Sequence, residues 1–321
     1  MTDAPTITLI GGSGRSGTTL LRRLLGRHEA VCESPEWRVP VDPGGLVDFY
    51  TGEMGAWSPL LFDARLQALR RLLQAVSAKP GWLHWYRRAL HASGLAKVRG
   101  RNLDVAYGQM VVTRFCPNFE ELTQQLLTRL EAFRYHAVWA GSSFLDDDLL
   151  AFGGPFDESE LRGLLGGFFR GVVSSATAHA GAQHYIEKNT WYPLVFDRFL
   201  ELVPEARLVV IRRDPRDVVC SLMEQRWAPS ELDAAAYYYN KLDQRWTYVR
   251  KQLTTDVYLE VEYEELVENP EIVLASIGEF ASIPIAQGPY GLSTKSIGRW
   301  RNNLTPTQIE RLGTLLAVDK E

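Results

Sequence analysis

Short apolar runs that stop at turn residues alternate with stretches of helical period near both ends of the chain, and this alternation predicts strands feeding helices. Residues 6–10 (TITLI) read as a strand ending at glycines, and residues 18–25 (TTLLRRLL) take up helical period straight afterwards. The same order returns at YIEK (185–188) before YPLVFDRFLEL, and at RLVVIRR (207–213) before DPRDVVCSLM. A further run, VYLEVEY (257–263), leads into helix through EELVENPEI. Repeated strand-to-helix units predict an α/β fold with a parallel central sheet flanked by helices, and near-continuous Val/Ile/Leu strands are what a sheet covered on both faces requires.

Between about residues 55 and 180 the pattern turns helical, as in LLFDARLQALRRLLQAV, NFEELTQQLLTRLEAF and ESELRGLLGGFFRGVV, and predicts a helical insertion. Within it, WLHWYRRALH (82–91) puts Trp82, Trp85 and Tyr86 on one helix face. That face either closes a core or forms an aromatic lid over a substrate, in which case His84 and His91, seven apart, line the pocket. The triplet Asp146-Asp147-Asp148 reads as a solvated helix start rather than a metal site.

Composition narrows this picture. Of 321 residues, 45% are hydrophobic, 11% aromatic and 23% charged, which excludes wholesale disorder. The length fits two domains or one α/β unit with an inserted subdomain. A net charge of -4 lacks the basic excess that a nucleic-acid partner asks for, so any anion site has to be local. Cys32, Cys116 and Cys220 show no metal-ligand spacing, and the six histidines show no HExxH, so no metal is expected. Nowhere do about 18 apolar residues run together and the start has no basic-then-apolar leader pattern, so the expectation is a cytoplasmic protein without a membrane span.

Gly11-Gly12-Ser13-Gly14-Arg15-Ser16-Gly17-Thr18-Thr19 falls between the first strand and the first helix, where backbone N–H groups and the helix dipole converge on an anion. From Gly12 it matches GxxxxG followed by Thr-Thr, without the lysine that follows Gly17's place in nucleotide triphosphatases. Lacking that lysine, the loop is poorly equipped to move a γ-phosphoryl group, while Arg15 puts a cation within it. A second anion site is expected after the strand ending at Arg212 and Arg213. There Asp214 suits the N-cap and Pro215 the first helical position, with Ser221 about two turns inside. Arg213 and Ser221 then hold a phosphate with the dipole's help, or Arg213 pairs with Asp214 and Asp217 instead.

These segments resemble the sulfotransferases that use 3′-phosphoadenosine 5′-phosphosulfate. The family's 5′-phosphosulfate loop is similar to GRSGTTLLRRLL, and its 3′-phosphate motif to IRRDPRDVVCS, with Arg213 and Ser221 eight apart. HEAVCESPEWRVP (28–40) resembles the tyrosylprotein branch, in which a loop after the first helix carries a catalytic glutamate and then an arginine, here Glu36 and Arg38. The resemblance extends to Lys188 in EKNT, Tyr263 in EYEEL and Arg299 in STKSIGRW, and spans residues 7–40 and 185–303. It implies the P-loop sulfotransferase fold over residues 1–321, with a core of 5–45 and 183–321 and an insertion of about 55–180 capping the acceptor side. Gly14, Arg15, Ser16, Gly17, Thr18 and Thr19 are implied to hold the 5′-phosphosulfate, and Arg213, Ser221, Tyr263 and Arg299 the rest of the donor, which leaves as the bisphosphate. Cys32 without an evident disulfide partner, and the expectation of no membrane anchor, depart from the tyrosylprotein branch.

The implied reaction is in-line sulfuryl transfer to a hydroxyl, phenol or alcohol, of a small molecule or peptide. Glu36 is the expected base, since an apolar, Trp-flanked loop disfavours a bare carboxylate charge. Lys188, at the end of a central strand, and Arg15 are expected to stabilise the transition state. Trp37, Arg38 and His84 are the expected acceptor contacts, with Arg38 suited to an acidic group. No metal is called for, because a sulfuryl group carries less charge than a terminal phosphoryl. The alternatives are a degenerate P-loop small-molecule kinase, which would need magnesium and ATP, and a non-catalytic nucleotide-binding scaffold.

Overall fold

The computed structural model describes residues 4–77, 111–137 and 149–317, which fall into two compact units. The first comprises the described residues up to Glu33, Gly181–Leu200 and those from Glu205 onward; the second comprises the described part of Ser34–Ala180 with Glu201–Pro204.

The first unit is built on a five-stranded sheet, β1 (Thr6–Gly12), β2 (Val31–Glu33), β5 (His184–Lys188), β6 (Arg207–Arg212) and β7 (Tyr258–Glu262), in the order β2-β5-β1-β6-β7. Every pairing is parallel, as the strand-helix alternation predicts. Leu9, Ile10, Ile186, Val209 and Ile211 are wholly buried, because helices cover both faces of the sheet. Thr18–Leu25, Tyr192–Leu202, Pro215–Met223 and Pro270–Ala281 are the helices that follow strands or lead away from them. The register sets Lys188 beside Ile10 and Ile211 beside Gly12, so β5, β1 and β6 end at one edge of the sheet. In open α/β sheets ligands bind outside that carboxyl edge.

One strand escaped the sequence reading. β2 occupies Val31–Glu33 inside the segment read as a loop, and three residues are too few to show a period.

The second unit is mainly helical, with Leu46–Gly55, Pro59–Ser77, Phe119–Leu130 and Glu158–Ala180. It also holds a β-ladder that helical periodicity did not announce. β3 (Phe133–His136) pairs antiparallel with β4 (Leu149–Phe152), and Phe133 stacks on Phe152 at 4.8 Å between ring centroids. Trp82, His84, Trp85, Tyr86, His91 and the 146–148 aspartates lie outside the described residues.

Candidate functional site

The loop after β1 owes its shape to backbone that most residues avoid. Gly14 and Gly17 take φ of +78° and +106°, and Arg15 between them takes +58°. A non-glycine residue there costs on the order of 1–3 kcal/mol, so the surroundings must hold Arg15 in place. A side chain at Gly17 would drive its Cβ to 2.4 Å from the Tyr263 ring, so only glycine fits. Such a run of left-handed residues turns successive N–H groups toward one concavity, an anion nest. The Thr18–Leu25 helix that follows starts at Gly17 with no side-chain cap and no acidic residue in its first turn, so the helix itself does not compensate its positive end. Ser16 is fully buried and its hydroxyl has no hydrogen-bond partner among the described residues. Thr18 is buried and Thr19 exposed.

The Pro215–Met223 helix starts differently. Asp214 caps it, accepting from the Arg216 N–H at 2.9 Å, and Pro215 opens the first turn. Arg216 returns to both Asp214 carboxylate oxygens, Nε to Oδ1 at 2.9 Å and Nη2 to Oδ2 at 2.6 Å. Burial works to raise the Asp214 pKa, but the Arg216 guanidinium and N–H outweigh it and leave the carboxyl below its usual range. Asp217, wholly buried, accepts from the Gly298 N–H at 2.7 Å and the Trp300 N–H at 3.0 Å, and stands 3.6 Å from Arg213. This helix start is therefore filled by its own carboxylates. An anion here would be met by side chains, not by the dipole that sequence reasoning enlisted.

Those side chains connect the two segments. Arg15 Nε donates to Ser221 Oγ at 2.9 Å, and Arg213 Nη1 donates to the Arg15 carbonyl at 3.0 Å. Arg213 also donates to the Ser296 carbonyl and lies over the Tyr263 ring, 4.8 Å from its centroid. Tyr263 Oη and Ser296 Oγ are 2.6 Å apart. Arg15, Ser221, Arg213, Tyr263 and Ser296 thus form one connected group, with Arg213 Nε buried and unpartnered among the described residues. Arg299 turns elsewhere, its Nη2 bonded to Glu224 Oε1 at 2.5 Å.

Lys188 closes β5, and the next residues pack on the loop: a Cβ at Gly14 would sit 3.3 Å from Thr190 Cγ2. In the second unit Glu36 and Arg38 lie 3.8 Å apart, and Arg38 Nε donates to Asp42 Oδ2 at 2.8 Å. Trp37, expected at the acceptor, has no exposed surface; it packs on Phe169 at 5.9 Å and edge-on to Phe119 at 6.0 Å. A large ring between polar neighbours fills a core here rather than facing a substrate. His84 lies outside the described residues.

The sequence pattern offers Asp217 only as a rival partner for Arg213 and does not point to Ser296. The i,i+4 spacing of Arg213 and Asp217 signals their pairing, but nothing local announces that Asp217 also receives residues 298 and 300. A concavity of about 500 Å³ lined by Asp214, Arg216, Glu262 and Glu264 carries three carboxylates and is poorly matched to a phosphate. Among the described residues no group of three or more His, Cys, Asp and Glu could hold a metal, and no helix is long and apolar enough to cross a membrane.

A family model described as "Sulfotransferase family" matches residues 113–287, more than half of the chain, and takes in Lys188, Arg213, Ser221 and Tyr263. No curated protein matches. Among solved structures the chain is similar to the sulfotransferase domain from the curacin biosynthetic pathway, at 16% identity and a TM-score of 0.49 over 98% of each chain. It is also similar to the sulfotransferase domain of the Synechococcus PCC 7002 olefin synthase, at 15% identity and a TM-score of 0.47 over 97% of this chain and 94% of that one. Sulfotransferase STF9 from Mycobacterium avium is 18% identical, with a TM-score of 0.44 over 98% of this chain and 76% of that one.

Proposed function

Because the chain belongs to the sulfotransferase family, we propose that it moves the sulfuryl group of 3′-phosphoadenosine 5′-phosphosulfate to a hydroxyl of a small molecule or peptide. The observation that carries this reading is the link from Arg15 to Ser221 and Arg213, which joins the anion nest after β1 directly to a second cationic group from a distant segment. The residues suit such a donor: the nest, the uncapped helix start and the buried Ser16 hydroxyl for the phosphosulfate, and Arg213 and Ser221 for the 3′-phosphate.

The donor supplies an activated sulfuryl group. Glu36 takes the acceptor proton as the acceptor oxygen bonds to sulfur, and the electron pair of the broken S–O bond stays on the departing phosphate oxygen. Lys188 and Arg15 supply positive charge to that oxygen, and fixed cations of this kind contribute on the order of a few kcal/mol to lowering a barrier. Arg38, beside Glu36, orients an acceptor bearing an acidic group.

The test incubates purified protein with labelled donor and a panel of phenols, sugars, lipids and tyrosine peptides, without added magnesium. Sulfated product is expected. Glu36→Gln is expected to lose about 10²–10⁴-fold in turnover while binding the desulfated bisphosphate as the parent does. Undiminished turnover in that variant removes Glu36 as base, and absence of bisphosphate binding in the parent removes the donor assignment.

A further inference from the structure

Trp227 is more than half exposed, an unusual position for so large an apolar ring, and it does not stand free of the loop: a Cβ at Gly14 would meet its Cη2 at 3.3 Å. The same point lies 3.3 Å from Thr190 Cγ2, two residues beyond Lys188. Trp227 and the Lys188 segment therefore share one flank of the nest. The opposite end, at Gly17, is occupied by the Tyr263 ring, which carries Arg213 over its face. The chain on either side of Trp227 is tied down: Gln225 Nε2 donates to the Ser221 carbonyl at 3.1 Å and the Gln225 N–H to the Leu222 carbonyl at 2.8 Å, while Ala228 packs against the core beneath the Pro215–Met223 helix. An indole in such a segment, with an edge on the loop and much of its surface open, is a ready stacking platform.

We propose that Trp227 is a specificity-determining residue that stacks on the ring of an aromatic hydroxyl acceptor, so that phenols rather than aliphatic alcohols are the substrate class. This rests on the reading under Proposed function. The rival occupant is the adenine of the donor, since Gln225, two residues from Trp227, bonds the Ser221 carbonyl; the ring's approach to the Gly14 and Thr190 side of the loop favours the acceptor.

The experiment measures binding of the desulfated bisphosphate, and then of naphthol and of hexanol to the bisphosphate-loaded protein, for the parent, Trp227→Ala and Trp227→Phe. Trp227→Ala is expected to weaken naphthol about tenfold, as loss of a stacking ring does, with hexanol and the bisphosphate changed less than about twofold and Trp227→Phe close to the parent. Equal weakening of naphthol and the bisphosphate assigns the ring to adenine and overturns the proposal. So does unchanged naphthol binding, equal weakening of both alcohols, or a loaded parent that binds no naphthol. A parent that binds no bisphosphate overturns the donor reading itself, and the two failures are thereby told apart.

Discussion

The helix beginning at Thr18 and the helix beginning at Pro215 both follow strands of one sheet, yet their first turns are completed in opposite ways. The first has no side-chain cap, no acid in its opening turn and a buried hydroxyl, Ser16, without a partner among the described residues. The second has Asp214 on its cap and Asp217 wholly buried in its first turn, each satisfied by N–H groups and arginine. Backbone polarity is thus left for a ligand in one place and consumed by structure in the other. On the function proposed above, residues of the second segment divide into those that hold the chain together and those that face a ligand, whereas the first turn after the loop is left open by its own side chains.

The harshest way to break this contrast is Asp217→Ala. It removes the acceptor for Gly298 and Trp300 and leaves the buried Arg213 without its carboxylate. Removing one partner of a buried pair costs about 3–5 kcal/mol, so the urea midpoint is expected to fall sharply. Asp217→Asn, which keeps an acceptor but not the charge, should fall in between. An alanine variant as stable as the parent would show that residues 296–300 are held by something else.

Next in size is Arg213→Ala, read as a difference between two ligands so that any general loosening cancels. Charge-assisted hydrogen bonds are worth about 1.5–3 kcal/mol, so adenosine 3′,5′-bisphosphate is expected to bind roughly 10–100-fold more weakly, with adenosine 5′-phosphate little changed. Calorimetric titration checks this. Equal loss for both nucleotides would make Arg213 a structural residue like Asp217 and erase the distinction drawn within the second segment.

Much of this frame is legible in the sequence because local rules carry it. β1, β5 and β6 follow from short apolar runs punctuated by glycine, aspartate and proline, and the Asp214-Pro215 start follows from cap chemistry. What stays hidden is tertiary. Arg15 reads as a cation within the loop; that its Nε also donates to Ser221 is a contact no local pattern could supply. Trp37 reads as a pocket wall because it stands between Glu36 and Arg38, yet burial depends on Phe119 and Phe169, which arrive from distant helices. β2 is too short to register a period, and Trp227 sits in a loop whose significance lies only in its approach to Gly14.

Ser16→Ala sharpens the contrast from the loop side. A buried hydroxyl without a partner contributes nothing to the free chain, so thermal stability is expected to hold or rise. Bisphosphate affinity is expected to drop by the worth of one hydrogen bond, about 0.5–1.5 kcal/mol or roughly two- to tenfold. A lower melting point with intact affinity would place Ser16 among the structural residues and remove the asymmetry between the two helix starts.

The smallest expected effect concerns the cap of the second helix. Because Arg216 outweighs burial and keeps the Asp214 carboxyl below its usual range, the folded protein binds fewer protons at this site than the unfolded chain does. The contribution is therefore complete above the unfolded value, about 3.9, and disappears as pH falls through the lower folded value. Asn caps a helix about as well as Asp but does not titrate, so Asp214→Asn keeps the hydrogen bond to the Arg216 N–H and discards the charge. Urea unfolding of parent and variant at several pH values should show a modest parental advantage near neutrality. A half-buried pair of this kind, still screened by solvent, is worth on the order of 1 kcal/mol, and the advantage should shrink on acidification below the ordinary carboxylate range. A gap that stays constant across that range would mean that the Asp214 charge is unchanged by folding, and that hydrogen bonding alone closes this helix end.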